Sequence, residues 1–334
     1  MFKLAVIVVA SATIGFVLGK YVFSAKPSNV QIVQEKNLQE VRESGYKFIS
    51  PLLECETGKD YYKLNGLDSL QNEVEELVAQ QKKSGLITDA AVYFRDLNNG
   101  PWFGVNEHVA FSPASLLKLP VMMAYYKKAE SDPEFLKKKV TYEAKDALLD
   151  QNIAPKESLQ IGKAYTFEEL LERMMVYSDN AALTLLEHNI DSKLIDKVTL
   201  DLGVETANDN SPINFMSVKG YAGLFRILYN ASYLEKEYSE KTLQILSNSE
   251  FQNGIVAGVS KDVVVSHKFG ERQLEENSYQ LHDCGIVYYS KGPYLICIMS
   301  RGNSMQNLEQ FISKISEVTY NGIQKRRIQN SRKS

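Results

Sequence analysis

Two residues three positions apart, Ser115 and Lys118, have the types and the spacing of a nucleophile and its base. A serine hydroxyl is a weak nucleophile until a neighbouring group takes its proton, and a desolvated lysine amine with a lowered pKa performs that step. The run 111–120 predicts a helix start, with Ser112 as the N-cap and Pro113 at the first helical position. Positions three apart share a helix face, and first-turn N–H groups favour an oxyanion. The pair therefore predicts a serine nucleophile at a helix start.

Two further motifs follow along the chain. Ser178-Asp179-Asn180 comes directly after an amphipathic segment that Thr166 and Glu169 predict to begin with a capping box, and Asp179 is expected to cap the next helix. Lys268-Phe269-Gly270 lies on a predicted late strand. A serine three residues before a lysine is, by itself, a common arrangement of a cap and a solvated lysine. The interpretation therefore depends on the three motifs together.

In this order and in these contexts, the motifs resemble the class A β-lactamase-like family of serine hydrolases, which includes the related penicillin-binding D-alanyl-D-alanine peptidases. The resemblance covers residues 67–317. It implies an α+β fold in which an antiparallel β-sheet is flanked by helices and carries an inserted all-helical lobe. The predicted order of elements, with strands and a helix at both ends and helices between them, favours the same fold.

The resemblance also implies catalytic roles for three matching residues. Ser115 is expected to be the acylated nucleophile, and Lys118 is expected to help remove its proton. Ser178 is expected to relay a proton to the leaving nitrogen, because a hydroxyl both donates and accepts hydrogen bonds.

Four further residues are implied to bind the substrate. Asn180 is expected to hold Lys118 or a substrate amide, and Lys268 to attract a substrate carboxylate. Gly270 is expected to let the substrate lie against the strand edge. The backbone N–H groups of Ser115 and Glu271 are expected to form the oxyanion hole.

The sequence departs from the family pattern in two places. Phe269 stands where the family has a hydroxyl residue, and we expect it to add bulk at the carboxylate site, with Arg272 as a replacement anion contact. The loop 203–212 is short, and its carboxylates, Glu205 and Asp209, are weak candidates for the base that activates water in deacylation. Efficient β-lactam turnover is therefore less expected than acylation.

The N-terminal run predicts attachment to a membrane. The catalytic domain is then expected to lie outside the cytoplasm. An uncharged run, 4–19, is flanked by lysines, so residues 1–25 are predicted to be an N-terminal membrane anchor or a signal segment, with the anchor preferred. The predicted organisation is then a stalk or linker over 26–65, the hydrolase domain over 66–321 and a basic disordered tail over 322–334. The expected location is the cell membrane, with a single pass, or the exterior if the segment is cleaved.

Composition excludes several other classes of protein. A net charge of −3 and the lack of a Gly-rich phosphate loop disfavour nucleic-acid or nucleotide binding. Neither the four histidines nor the three cysteines have metal-ligand spacing, so no metal or cofactor is expected. Cys284 and Cys297 lie on neighbouring predicted strands, and we expect two buried thiols rather than a disulfide. Cys55 has no predicted partner.

Three functions remain open from the sequence. The first is an extracytoplasmic serine hydrolase that hydrolyses a small-molecule β-lactam or a related amide through a Ser115 acyl-enzyme. The second is a D,D-peptidase acting on peptidoglycan-like wall peptides. The third is a catalytically retired wall-binding module, in which the Ser–Lys pair survives as packing and Phe269 narrows the cleft. An α/β-hydrolase is disfavoured because the chain has no Gly-x-Ser-x-Gly motif.

Overall fold

The computed structural model describes residues 40–55, 67–97, 100–143, 153–204, 213–290 and 292–331. The predicted anchor over 1–25 and the two loop carboxylates Glu205 and Asp209 lie outside these residues. Within the described ranges, no helix combines the length and the apolar character needed to cross a membrane.

The strands of the described residues form one large sheet and three small ones. They are β1 (Glu40–Arg42), β2 (Leu52–Cys55), β3 (Asp89–Asp96), β4 (Trp102–Val105), β5 (Ala110–Phe111), β6 (Lys139–Thr141), β7 (Ala164–Thr166), β8 (Met216–Ser217), β9 (Val265–Glu275), β10 (Ser278–Val287) and β11 (Tyr294–Gly302).

The helices lie on both sides of the large sheet and between its strands in sequence. They are α1 (Asp68–Lys83), α2 (Lys118–Ala129), α3 (Phe167–Val176), α4 (Asn180–His188), α5 (Ser192–Asp201), α6 (Val218–Tyr229), α7 (Lys236–Leu246) and α8 (Met305–Ser331), with short 3-10 helices at Ala114–Leu117, Pro133–Lys137 and Ile255–Gly258.

The large sheet joins the two ends of the domain. Its strand order is β4-β3-β11-β10-β9, and every neighbouring pair is antiparallel. The chain leaves this sheet after β4, forms the helices α2 to α7, and returns at β9. The predicted α+β fold, an antiparallel sheet flanked by helices with an inserted helical lobe, is therefore confirmed.

Each face of the sheet has its own hydrophobic core, because successive side chains of a strand point to opposite faces. Tyr93 and Met299 belong to the core that the sheet shares with the helical lobe. Phe94 and Ile298 belong to the other core, where they join Phe311 of α8. Leu116, next to the predicted nucleophile Ser115, belongs to the lobe-side core, so the candidate site lies on that face of the sheet.

Part of the segment predicted to be a linker is folded against the domain. Phe48 and Ile49 are buried in the lobe-side core. The carboxylate of Glu240 on α7 accepts hydrogen bonds from the backbone N–H groups of Lys47, Phe48 and Ile49 at 2.9 to 3.2 Å. Residues 47–49 are thus held by burial and by a helix carboxylate 191 to 193 positions away, a pairing that no local pattern indicates.

The C-terminal helix continues through residues that the sequence predicts to be a disordered tail. α8 runs to Ser331, so the prediction of a disordered segment from 322 is wrong for ten residues of it. Ile323 lies eleven positions after Ile312, and both are buried against the sheet. About three helical turns separate them, so Ile323 extends the buried face of α8.

Cys284 and Cys297 form a disulfide, which corrects the expectation of two buried thiols. Their strands β10 and β11 pair in a register that places the two residues directly opposite each other. The side chain of Cys55 lies outside the described part of the chain.

Candidate active site

Ser115, the predicted nucleophile, lies on a 3-10 helix rather than in the first turn of an α-helix. Ala114–Leu117 is the 3-10 helix, and α2 begins only at Lys118. Ala114, directly before Ser115, has a φ of 48°, a left-handed conformation that is uncommon for a residue with a side chain. This turn needs support from the rest of the fold to persist.

Ser112 supplies that support from its backbone, and the prediction that its side chain caps the helix is wrong. Its N–H donates to Oε1 of Gln280 at 2.9 Å, and its Oγ accepts from Nη1 of Arg272 at 3.1 Å. Its carbonyl accepts from Nε2 of His282 at 2.9 Å, because Nδ1 of that ring accepts the N–H of Ser300. Strands β9 and β10 thus hold the residue that opens the nucleophile segment.

Pro120 is accommodated near the start of α2. A proline has no N–H, so the carbonyl of Leu116, four residues earlier, lacks its usual helical donor. The buried hydroxyl of Tyr221 donates to that carbonyl at 3.0 Å. α6 therefore satisfies the group that Pro120 leaves free, one residue after Ser115.

Lys118 is the centre of the site. Its side chain is buried, with 1% of the residue exposed. Its Nζ lies 3.1 Å from Oγ of Ser115, 3.1 Å from Oγ and 2.6 Å from the carbonyl of Ser178, and 2.7 Å from Oδ1 of Asn180. Burial lowers the pKa of Lys118 to about 8. About a tenth of the amine is therefore neutral near pH 7, and the neutral amine is the form that accepts a proton.

The turn between α3 and α4 brings Ser178 and Asn180 to the same amine. α3 begins with the predicted capping box of Thr166 and Glu169, which is confirmed. Ser178 has a φ of 54°, and Asp179 accepts hydrogen bonds from the first N–H groups of α4, as a helix cap should. Because Asp179 caps the helix, its two neighbours, Ser178 and Asn180, both accept hydrogen bonds from Lys118.

Lys268 approaches the same serine from β9. It is fully buried, and its Nζ donates to Oγ of Ser178 and to the carbonyl of Phe269, both at 2.9 Å. Burial, followed by the nearby charge of Lys118, lowers the pKa of Lys268 well below its ordinary value. The Ser178 hydroxyl thus lies between two lysine amines, and a continuous chain of hydrogen bonds runs from Ser115 to Lys268.

Gly270 lies where β9 packs closely against residues 113–116. A Cβ at this position would lie 2.9 Å from the carbonyl oxygen of Pro113 and 3.1 Å from the N of Leu116. Both are backbone atoms, which have little freedom to move. The glycine therefore lets β9 approach residues 113–116, and its contact with a substrate stays a prediction.

Phe269 does not narrow the cleft, contrary to expectation. It is 2% exposed and stacks on Phe251 with ring centroids 4.5 Å apart. The ammonium of Lys268 lies 4.3 Å from the Phe269 ring centroid. The ring therefore supports Lys268 from within the core behind the sheet.

A cavity of about 580 Å³ opens at the nucleophile. Ser115, Lys118 and Asn180 line one part of it, together with Glu271 on β9. Oε1 of Glu271 accepts the N–H of Ile153 at 3.3 Å. The remaining lining residues are Ala114, Leu117, Pro120, Val121, Leu183, Glu187, Ile195, Asp196, Thr199 and Arg272.

Sequence reasoning missed Glu187 as a residue of the site. It lies seven positions after Asn180, which is two helical turns along the same face of α4. This spacing was the available signal. Within the described ranges, no group of His, Cys, Asp and Glu side chains has the arrangement of a metal site.

Known proteins similar to this chain include penicillin-binding and β-lactamase structures. PBP-A is 22% identical over 79% of this chain and 97% of its own, with a TM-score of 0.64. A mutant of PBP-A, solved as an acyl-enzyme complex with penicillin G, is also 22% identical with a TM-score of 0.64, over 78% of this chain and 97% of its own. A β-lactamase from Chitinophaga pinensis is 20% identical over 76% of this chain and 99% of its own, with a TM-score of 0.67. At these identities the similarity establishes the fold.

The family is established by a separate comparison. No curated protein matches the chain. The model of the beta-lactamase enzyme family, however, matches residues 69–323, which include the three motifs and every strand of the large sheet. The protein therefore belongs to the beta-lactamase enzyme family.

Proposed function

We propose that this protein is a serine hydrolase that forms an acyl-enzyme at Ser115 with a β-lactam or a related amide. The observation that carries the proposal is the buried amine of Lys118, which lies 3.1 Å from Oγ of Ser115 and has a pKa lowered to about 8. A nucleophile within hydrogen-bond reach of a base of suitable pKa is the arrangement that covalent catalysis requires. Family membership and the penicillin G acyl-enzyme of PBP-A support a β-lactam as the acyl donor.

Acylation follows from the hydrogen-bond chain. Neutral Lys118 takes the proton of the Ser115 hydroxyl while Oγ attacks the carbonyl carbon of the amide. The Ser178 hydroxyl then passes a proton to the leaving nitrogen and recovers one from Lys118, whose Nζ lies 3.1 Å away. Asn180 holds Lys118 in place through a 2.7 Å hydrogen bond. The C–N bond breaks and the Ser115 ester remains.

The negative charge of the tetrahedral intermediate needs two donors. We assign them to the backbone N–H groups of Ser115, in the first turn of its 3-10 helix, and of Glu271, on the strand at the same cavity. The close approach of β9 to residues 113–116, which Gly270 permits, is what brings the two segments together.

The test is intact mass spectrometry of the full chain after incubation with penicillin G. Wild type should gain the mass of one penicillin, and peptide mapping should place it on Ser115. The variant Ser115→Ala should gain none. A wild type that neither forms an adduct nor consumes penicillin G contradicts the proposal. A parallel incubation with a D-alanyl-D-alanine peptide measures the peptidase alternative by release of D-alanine.

We also propose that the domain lies outside the cytoplasm, attached through residues 1–25. The uncharged run flanked by lysines supports the attachment, and the Cys284–Cys297 disulfide supports an oxidising compartment. Protease added to spheroplasts of a bacterial host should digest the domain without lysis. Protection until the membrane is broken would contradict this location.

A further inference from the structure

Arg173 lies in the last turn of α3, close before the turn that presents Ser178 and Asn180. Its carbonyl accepts the N–H of Tyr177 at 3.0 Å and that of Asp179 at 3.5 Å. Its Nε lies 3.7 Å from Oδ2 of Asp179, and the two side chains are 16% and 4% exposed. The backbone and the side chain of one residue therefore both contact the residue at the centre of the turn.

The contact between Arg173 and Asp179 joins two buried atoms. Among the described residues, neither Nε of Arg173 nor Oδ2 of Asp179 has a hydrogen bond. The other oxygen, Oδ1, accepts the N–H groups of Ala181 and Ala182 at 2.9 and 3.2 Å. Asp179 thus uses one oxygen to cap α4 and faces Arg173 with the other. Because a buried carboxylate needs an opposite charge, the guanidinium is the group that compensates it.

Other contacts hold the guanidinium of Arg173 in this position. It lies over the rings of Tyr165 and Tyr177, 6.0 and 5.4 Å from their centroids. Its Nη2 donates to the carbonyl of Glu157, and its Nη1 lies 3.8 Å from the Glu157 carboxylate. That carboxylate is 73% exposed, so its attraction is screened by water. Asp179, which is buried, is therefore the stronger ionic partner.

Asp179 connects Arg173 to the amine of Lys118. Its two chain neighbours bind that amine: the Ser178 carbonyl accepts from Nζ at 2.6 Å, and Oδ1 of Asn180 accepts at 2.7 Å. Burial has the largest effect on the pKa of Lys118 and lowers it, and the charge of Asp179 is the strongest influence that opposes burial. A nearby negative charge favours the ammonium form, which accepts no proton.

We propose that Arg173 is a positioning residue for acyl transfer at Ser115, an inference that rests on the function proposed above. By pairing with Asp179, it holds the turn 178–180 against Lys118 and compensates the negative charge beside that amine. Asp179 can then cap α4 without keeping Lys118 protonated. The last turn of α3 thereby sets how much of the amine is ready to take the serine proton.

Several other charged groups act on this arrangement and stay unchanged in the variants below. They lie on β9, α4 and α5, or in the chain before β7. They are Lys268, Glu271, Arg272, Glu187, Asp196 and Glu157. A change in pH dependence on mutation of Arg173 is therefore a change in the balance between Arg173 and Asp179.

The deciding experiment measures the rate of Ser115 acylation by penicillin G against pH for full-length Arg173→Met. Quenched-flow mass spectrometry follows the adduct between about pH 6 and about pH 9.5. The wild-type rate should rise with the neutral fraction of Lys118, with a midpoint at about 8. In Arg173→Met the midpoint should move up by about one pH unit, so the rate falls about tenfold at pH 7. Near pH 9.5 the two rates should agree within about threefold.

Three further variants separate charge from structure. Arg173→Lys keeps the positive charge and should keep the midpoint near that of wild type. Asp179→Asn keeps a good helix cap without the charge, so its midpoint should lie below that of wild type. In the Asp179→Asn background, Arg173→Met should move the midpoint less than it does when Asp179 is present. Lys128→Met removes an exposed cation from α2 and is the matched control, with a wild-type profile expected.

The remaining outcomes each contradict a stated part of the proposal. A rate that falls by the same factor at every pH in Arg173→Met overturns the compensation of charge, because a structural loss lowers the rate without moving the midpoint. A wild-type profile in Arg173→Met overturns the role of Arg173 and leaves the proposed function intact. A wild type that neither acylates nor consumes penicillin G overturns both. If circular dichroism shows that Arg173→Met does not fold, Asp179→Asn decides, and a midpoint that is not below that of wild type overturns the proposal.

Discussion

Two neighbouring residues of β9, His267 and Lys268, are both buried and polar but have opposite surroundings. His267 Nδ1 lies 2.8 Å from Oδ1 of Asp283, and the other oxygen of Asp283 accepts the N–H of Ile255 at 2.9 Å. Among the described residues, Lys268 forms no ion pair with a carboxylate, and its amine contacts the same Ser178 hydroxyl as a second lysine, Lys118. Burial is common to both, so the identity of the partner decides what each polar group does.

The comparison shows that neighbouring residues of one strand can belong to a stabilising pair and to a candidate catalytic group. The Asp283 carboxylate and the His267 imidazole are hydrogen-bonded to each other. Together with the hydrogen bond from Ile255, this contact connects β9 to β10 and to the 3-10 helix at Ile255. Two buried lysines that share a serine each have a lowered pKa, which makes them proton acceptors. The first cluster should therefore respond to mutation with loss of stability, and the second with loss of activity.

The largest expected effect is the loss of acylation when Lys118 is replaced. Lys118→Met removes the base, so the acylation rate with penicillin G should fall by about 100-fold or more. The free energy of unfolding should fall by only about 1 to 3 kcal/mol, because the Ser178 carbonyl and Asn180 lose their buried donor. Stopped-flow kinetics and urea unfolding measure the two quantities. Lys314→Met, on the exposed surface of α8, is the control. An acylation rate equal to wild type would contradict the assignment of the base.

Mutation of Asp283 should show the reverse pattern, with a large loss of stability and little change in the acylation rate. Asp283→Ala leaves His267 and the N–H of Ile255 without their buried acceptor, so the free energy of unfolding should fall by about 3 to 5 kcal/mol. The double variant with His267→Ala should lose less than the sum of the single losses, because the two residues share one interaction. Acylation by the folded fraction should stay near the wild-type rate. Additive losses in urea unfolding would show that the pair is not coupled.

A smaller effect concerns His282, which holds Ser112. Burial lowers the pKa of His282 from 6.5 to about 4. Below pH 6.5 the unfolded chain binds a proton that the folded protein does not, so stability falls with pH until about 4, by on the order of 3 kcal/mol in total. His282→Gln should flatten this part of the stability curve measured by urea unfolding between pH 4 and 7. A curve of unchanged slope in the variant would exclude His282 as its source.

Much of the active site was predictable because its motifs are local. Ser115 and Lys118 are three positions apart, and the capped turn that presents Ser178 and Asn180 is encoded by Asp179 and its neighbours. The fold followed from the order of elements, since strands at both ends with helices between them have few antiparallel arrangements. The roles of Ser112 and Gly270 were not predictable, because both depend on how closely β9 and β10 approach a distant loop.

Local sequence patterns predicted the candidate side chains of the site, the spacing of each motif and the class of fold. Packing between distant segments buried Phe269 behind Lys268, joined Cys284 to Cys297 and placed Phe48 and Ile49 in the lobe-side core. It also placed Glu187 at the nucleophile cavity. The physical reason is that spacing and capping act within a few residues, whereas desolvation and strand register arise only when distant segments pack together.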